Sequence, residues 1–247
     1  SCGVGHPLRG RIVRRMLLLK ANSLAAGYSG ARPEIVEALT GMLNGNVGPE
    51  IPSRGSVGAS GDLAPLAHLA LCLIGEGEAL FEGRRVEGAA VCEAAGFAPI
   101  ALEAKEGLAL INGTQLSLAL SLDGLMRTET LLDAAIVIGA LTIDGLAGSY
   151  APFDARIHEA SGLPHQMEVA RRFRLLLTES AIHRDHENCD RVQDPYAVRC
   201  MPQVFGAIEN VLHHARETLG AALNGVTDNP LIFDDAILSG GNFHAQP

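Results

Sequence analysis

From Gln115 to Ala147 the only charged residues are Asp123, Arg127, Glu129, Asp133 and Asp144. The stretch is free of proline and rich in Leu, Ala and Ile, which predicts one long helix. A helix this apolar cannot stand alone in water. It must be surrounded by other helices, in its own chain or in a neighbouring subunit. This element commits the chain to a helix bundle. With 247 residues, 47% of them hydrophobic, there is enough material for a real core. Aromatics make up 4% and Trp is absent, so Ala, Leu, Ile and Val must do the packing. The run from Ala134 to Ile143, held between Asp133 and Asp144, is far too short to span a bilayer.

Helices are predicted for residues 7–27, with Pro7 in the first turn and Gly27 at the end, and for 33–43, 63–74 and 164–177. A further helix is predicted for 195–223. In the first, Arg11, Arg14 and Arg15 fall on the polar side. The helix at 63–74 is nearly all apolar and should be deeply buried. Residues 78–86 read as a hairpin around Glu82-Gly83. Thr227 to Pro230 read as a turn, and 231–233 as a short strand. There is no internal repeat or low-complexity linker. The predicted fold class is mainly α, a fragment of a multi-helix bundle with small β-hairpin additions. Residues 1–247 read as a single domain segment cut at both ends.

A net charge of −9 argues against nucleic-acid partners and against an anionic membrane surface. The cysteines are odd in number, 5, and form no C-x-x-C pair. They read as reduced thiols in a reducing, cytoplasmic setting. His183, His186, Cys189 and Asp190 lack a standard zinc spacing, so no metal is expected. His213 and His214 are neighbours on a helix and read as surface or interface residues.

Small residues dominate Gly55 to Gly61, just ahead of the buried helix. Such a loop admits backbone conformations that bulky residues forbid. Asp62 is a candidate N-cap, and the plain reading is a capped turn. The segment is not a phosphate loop, because G-x-x-x-x-G-K-[ST] is missing, nor a nucleophile elbow. Asn112 precedes a glycine, as turn asparagines often do. Gln193, Tyr196 and Arg199 recur at i, i+3 and i+6 at a helix start, with Asp194 as candidate cap and Pro195 at the first helical position. Without further context that is a solvated helix face.

The residues Gly58-Ala59-Ser60-Gly61-Asp62-Leu63-Ala64-Pro65-Leu66-Ala67-His68 resemble the signature of the aromatic amino acid lyase family. The likeness continues in order through Asn112-Gly113-Thr114-Gln115, Ser149 to Asp154, Asn188-Cys189-Asp190, and Gln193 to Cys200. It ends with Thr227 to Leu231 and Ser239 to His244. One such motif would be weak evidence; the ordered series makes coincidence implausible.

The resemblance implies a self-made electrophile, 4-methylideneimidazol-5-one (MIO), formed from Ala59-Ser60-Gly61 with no external cofactor. The Gly61 amide nitrogen would attack the Ala59 carbonyl, and Ser60 would lose water. Ala59, Ser60, Gly61, Asn112 and Tyr196 are then the implied catalytic residues. Gln193, Arg199 and Phe243 are the implied substrate-binding residues, with Arg199 on the substrate carboxylate. The implied reaction is elimination of ammonia from an L-amino acid. Asn242-Phe243-His244 and the stretch from Asn188 to Tyr196 resemble the histidine-specific members, whose product is urocanate. Phenylalanine or tyrosine lyases, aminomutases, and a non-catalytic scaffold of the same fold are the alternatives.

The resemblance also implies a homotetramer with shared active sites. The electrophile-bearing part would be roughly 1–112 and the central bundle roughly 113–247. A catalytic tyrosine and a pocket histidine are expected before Ser1, and a substrate-selecting glutamate after Pro247. Residues 1–247 alone are therefore expected to be inactive.

Overall fold

The computed structural model describes residues 3–58, 60–185 and 191–244. Cys2, Ala59, His186 and the Asn188-Cys189-Asp190 motif lie outside the described residues. The fold is mainly α with a few short strands, as the sequence predicts. Packing divides the chain into two compact units, residues 1–123 with 218–247, and residues 124–217.

In the first unit the order is β1 (Val4–Pro7), α1 (Gly10–Ala25), α2 (Pro33–Asn44), β2 (Gly48–Pro49), β3 (Pro52–Arg54), α3 (Leu63–Leu73), β4 (Glu78–Phe81), β5 (Arg84–Glu87), α4 (Ala89–Ala95) and α5 (Glu106–Ile111). The long α6 (Gln115–Gly145) then begins. Pro7 does not open a helix, contrary to the sequence reading. It ends β1 opposite Pro52, and the next residue, Leu8, donates its amide to Ile51 O at 2.8 Å. At the end of a short edge strand the missing proline N–H costs nothing.

The core of this unit joins Val13, Met16 and Leu17 of α1 to Ile35, Leu39 and Met42 of α2 and to Leu66, Leu69 and Leu73 of α3. The polar side of α1 has a specific task. Arg11 donates to Asp123 at 2.6 and 2.8 Å, and Arg15 at 2.6 Å. These guanidiniums, Arg11 foremost, hold the Asp123 carboxyl far below its usual range. One of the few charges on α6 is thereby neutralised. β4 and β5 form the predicted hairpin, with Glu82 and Gly83 both at positive φ, as a tight two-residue turn requires.

The second unit continues α6 and adds a 3-10 turn at Ala151–Phe153, α7 (Ala155–Ser161), α8 (Pro164–Leu177), α9 (Ala181–Asp185), α10 (Tyr196–Arg199) and most of α11 (Met201–Ala222). Its core gathers Ile136, Ile143, Phe153, Phe173, Val198 and Leu212. Helix α11 lies close against α8 at Gly206, where a Cβ would sit 2.6 Å from the Gln166 Cα. The single helix predicted for 195–223 is broken at Cys200. A continuous helix would need an N–H from Pro202 to bond Val198 O, and proline has none. Restarting at Met201 puts Pro202 in the first turn, where no N–H is needed. Strands β6 (Leu231–Ile232) and β7 (Ile237–Leu238) complete the first unit.

Helix α6 buries one face through Leu116, Ala119, Leu132, Ile136 and Ile143. On the rest of its circumference Leu131, Ile138 and Leu141 are 66%, 61% and 68% exposed. Among the described residues, no helix is long and apolar enough to cross a membrane.

Candidate active site

Two segments of the first unit meet at the loop before α3. Gly61 bridges to Gly113 in parallel fashion, and the Asp62 amide donates to Gly113 O at 2.7 Å. The approach leaves no space for a side chain: a Cβ on Gly61 would lie 2.2 Å from Gly113 O. Gly61 also has φ +83°, a region that favours glycine. Ser60 is bent with it, at φ +58°, an uncommon conformation for a residue with a Cβ.

Asn112 holds this bend. Its Nδ2 donates to the Ser60 carbonyl at 2.6 Å. The side chain is buried, and Oδ1 has no hydrogen-bond partner among the described residues. A buried acceptor left unpaired costs about 1–3 kcal/mol, so such a group in a native fold calls for a partner beyond the described residues.

Asp62 stands at the predicted N-cap position of α3, but its side chain makes no cap bond there. Its carboxylate serves α6 instead, accepting from Ser117 N at 2.8 Å and Ser117 Oγ at 2.9 Å. Ser56 Oγ donates to it as well, at 2.8 Å. The first turn of α6 has free amides that need an acceptor, and a buried anion is the strongest available. Asp62 thus ties the glycine-rich loop to the start of the longest helix.

Beneath the loop lies Lys20 of α1, 0% exposed. Its Nζ donates to Ala109 O at 3.0 Å and Asn112 O at 2.8 Å. Burial pushes the ammonium down to about 7, against the attraction of Asp228 and Asp62. Two N–H groups suffice for two carbonyls, so the neutral amine can still donate to both.

The predicted turn from Thr227 to Pro230 does more than reverse the chain. Thr227 Oγ1 accepts from Thr114 N at 3.2 Å and Gln115 Nε2 at 3.1 Å. Asp228, buried, accepts from Lys105 Nζ at 2.8 Å and Ser29 Oγ at 3.0 Å. Asn229 receives Gly240 N at 2.7 Å and donates to Ser239 Oγ at 3.0 Å. Asn242 donates to the Asp228 carbonyl. The loop carrying half-buried Phe243 is therefore fastened to the turn, and the turn to the Gly113-Thr114-Gln115 segment.

Gln193, Tyr196 and Arg199 belong to the second unit. Arg199 Nη1 donates to Gln193 Oε1 at 2.6 Å, and both line a cavity of about 430 Å³ with Ser149, His183 and Asp194. Tyr196 is 77% exposed. Asp194 is not the cap of α10; Pro195 takes that position. The Asp194 carboxylate turns inward, accepting from Ser149 N at 2.6 Å and Arg191 Nη1 at 2.9 Å. The Ser149 amide, then Arg191, hold its carboxyl below the usual range against the effect of burial. The ring of His183 stacks on Tyr150 at 3.6 Å between centroids. Among the described residues no group of His, Cys, Asp and Glu is arranged to hold a metal ion.

The family profile for aromatic amino acid lyase matches residues 1–247. The chain belongs to the aromatic amino acid lyase family. Relatives at 53% identity include the histidine ammonia-lyases of Salmonella paratyphi B and Salmonella enteritidis. The match covers 100% of this chain and 49% of each of theirs, so the chain spans about half the length of the curated relatives it matches. Among solved structures, a phenylalanine aminomutase from Pantoea agglomerans superposes with a TM-score of 0.91 at 32% identity, over 99% of this chain and 50% of that one. Histidine ammonia-lyase from Trypanosoma cruzi gives 0.88 at 38% identity, over 99% and 46%.

Within this family member, Ser60, Gly61 and Asn112 come together in one unit, and Gln193 and Arg199 in the other. The sequence reading passes over Lys20, Thr227 and Asp228 as working residues. Thr227 and Asp228 fall in a motif of the family resemblance, and Lys20 carried a signal of its own. It follows Met16 and Leu17 by four and three residues, which puts a lysine on the buried face of an amphipathic helix.

Burial of Lys20 has a measurable consequence. Its folded value of about 7 lies below the unfolded value of 10.5. Between the two the unfolded chain binds more protons, so stability rises as pH rises through this window. Denaturant unfolding of the full-length polypeptide from about pH 7 to about pH 9 should show this slope, and Lys20→Met should flatten it. An identical slope in both proteins would contradict the assignment.

Proposed function

We propose that the full-length polypeptide carrying this chain eliminates ammonia from L-histidine to give urocanate, using an electrophile formed from Ala59-Ser60-Gly61. The observation that carries the reading is the hydrogen bond from Asn112 Nδ2 to the Ser60 carbonyl, made where Gly61 is pressed on Gly113. The positive φ at Ser60 and Gly61 turns the backbone sharply at these two residues, and the bare Gly61 leaves its amide nitrogen open to close approach. In the cyclised product the Ser60 carbonyl is the ring carbonyl. The 4-methylideneimidazol-5-one supplies an electrophilic carbon that no ordinary side chain offers. Asn112, donating to the Ser60 carbonyl, draws electron density toward that oxygen. Its unpaired Oδ1 suits the N–H of a substrate amine.

Arg199 and Gln193 offer a planar cationic fork and an amide at one cavity, a combination suited to an α-carboxylate. Tyr196 projects from the same short helix and is free to reach a neighbouring subunit. The uncovered apolar side of α6 supports a homotetramer with shared sites. The three described cysteines, Cys72, Cys92 and Cys200, are free thiols, which accords with a cytoplasmic setting.

A second reading is aminomutase or phenylalanine-type lyase chemistry on the same electrophile, favoured by the high TM-score to the phenylalanine aminomutase. The 53% identity to histidine ammonia-lyases favours histidine. A panel of histidine, phenylalanine and tyrosine on the full-length protein decides between them. Histidine should give urocanate, and Ser60→Ala should abolish turnover while leaving circular dichroism unchanged. Near-native activity in Ser60→Ala would remove the electrophile from the proposal, and turnover of phenylalanine or tyrosine alone would remove histidine.

Arg199→Ala is expected to raise the barrier in kcat/KM by about 2–4 kcal/mol, the loss of a charge-assisted pair. An unchanged kcat/KM would exclude Arg199 from carboxylate binding. Light scattering of the active full-length protein should give the mass of a tetramer; an active monomer would refute shared sites.

A further inference from the structure

Asn112 is gripped at three atoms. Its N–H donates to Leu108 O at 2.9 Å, its carbonyl accepts from Lys20 at 2.8 Å, and its side-chain amide donates to the Ser60 carbonyl at 2.6 Å. The middle grip reaches in from α1, 92 positions away. We propose that Lys20 is a positioning residue for the elimination reaction: it fixes the backbone of Asn112, and thereby the amide that Asn112 lays on the Ser60 carbonyl. This rests on the reaction proposed above.

The local backbone explains why such a grip is needed. Helix α5 has 6 residues, too few to be stable by its own hydrogen bonds. Asn112 leaves it in an extended conformation, φ −88° and ψ 139°, and Gly113 follows at φ +126°. A chain that turns this sharply after so short a helix has no internal means of fixing the last carbonyls. Ala109 O and Asn112 O point into the protein, where water is not at hand to bond them. An apolar residue in place of Lys20 would pack there but leave both oxygens unpaired. The long stem of lysine reaches them from α1, and the site tolerates the cost of burying the amine, which lowers its proton affinity. Lys20 bonds the Asn112 carbonyl and acts through Asn112. Misplacing a catalytic donor by about 1 Å can cost about 10²-fold in rate, so a modest loosening at Asn112 should register in turnover.

A double-mutant cycle on the full-length protein tests this. Lys20→Met should lower kcat, normalised to the near-ultraviolet absorbance of the cyclised tripeptide, by at least about 10-fold, with KM within about 2-fold. In an Asn112→Ala background the same Lys20→Met change should cost no more than about 2-fold, because the residue it positions is gone. Hydrogen exchange in the peptide spanning residues 110–115 should quicken in Lys20→Met. Losses that multiply in the double mutant, or exchange that stays at the wild-type rate, would overturn the proposal. If Lys20→Met lacks native circular dichroism, Lys20→Gln, which keeps a neutral donor, takes its place. Failure of both to fold would make Lys20 a folding residue only and overturn the positioning role. A wild-type protein without the absorbance band or turnover would instead overturn the proposed reaction, so the two failures are distinct.

Discussion

The close approach of Gly61 to Gly113 is the constraint on which the rest of the site depends. With 2.2 Å between a notional Gly61 Cβ and Gly113 O, no other residue type fits either the space or the φ angle. Once the two strands of backbone are this near, Asp62 N reaches Gly113 O and Asn112 reaches the Ser60 carbonyl. The left-handed Ser60 is a strained conformation, held by the Asn112 amide on its carbonyl and by the Gly61–Gly113 bridge that follows it.

The support beneath that loop is unusually ionic for a core. Lys20, Asp62, Glu106 and Asp228 are each buried to within 1% of full burial. Burying charge is costly unless every group is paired or bonded. Here each is: Asp62 by serines, Asp228 by Lys105 and Ser29, Lys20 by two carbonyls, and Glu106 by Arg32 at 2.8 Å. Arg32 holds the Glu106 carboxyl at about 2. Apolar packing would hold helices together as well. Directional bonds hold them in one register, which a site built from three separated segments requires.

The second unit is built in a contrasting way. Its aromatic core of Phe153, Phe173 and Phe205 is conventional, while the outward side of α6 and the Tyr196 side chain remain open. An apolar helix face left bare by its own chain is stable only when something else covers it.

Much of the fold was legible in the sequence because apolar spacing and punctuation agreed with each other. The α2, α3, α6 and α8 helices and the Glu82-Gly83 hairpin fell within a residue or two of expectation. Errors arose where a local signal was overridden from a distance. Pro7 went into a strand because residues 52 and 51 offered pairing, and Asp62 and Asp194 capped other segments because amides elsewhere lay closer. The short helices α4, α5 and α7 went unread, having too few turns to show a period. The sequence alone determined the mainly α class and the family, since these depend on residue type and order. Only the tertiary structure decided that Asn112 lies on Ser60 and that a lysine from α1 holds Asn112. Those contacts join residues 52 and 92 positions apart, and no local pattern encodes which distant carbonyl a buried donor will meet.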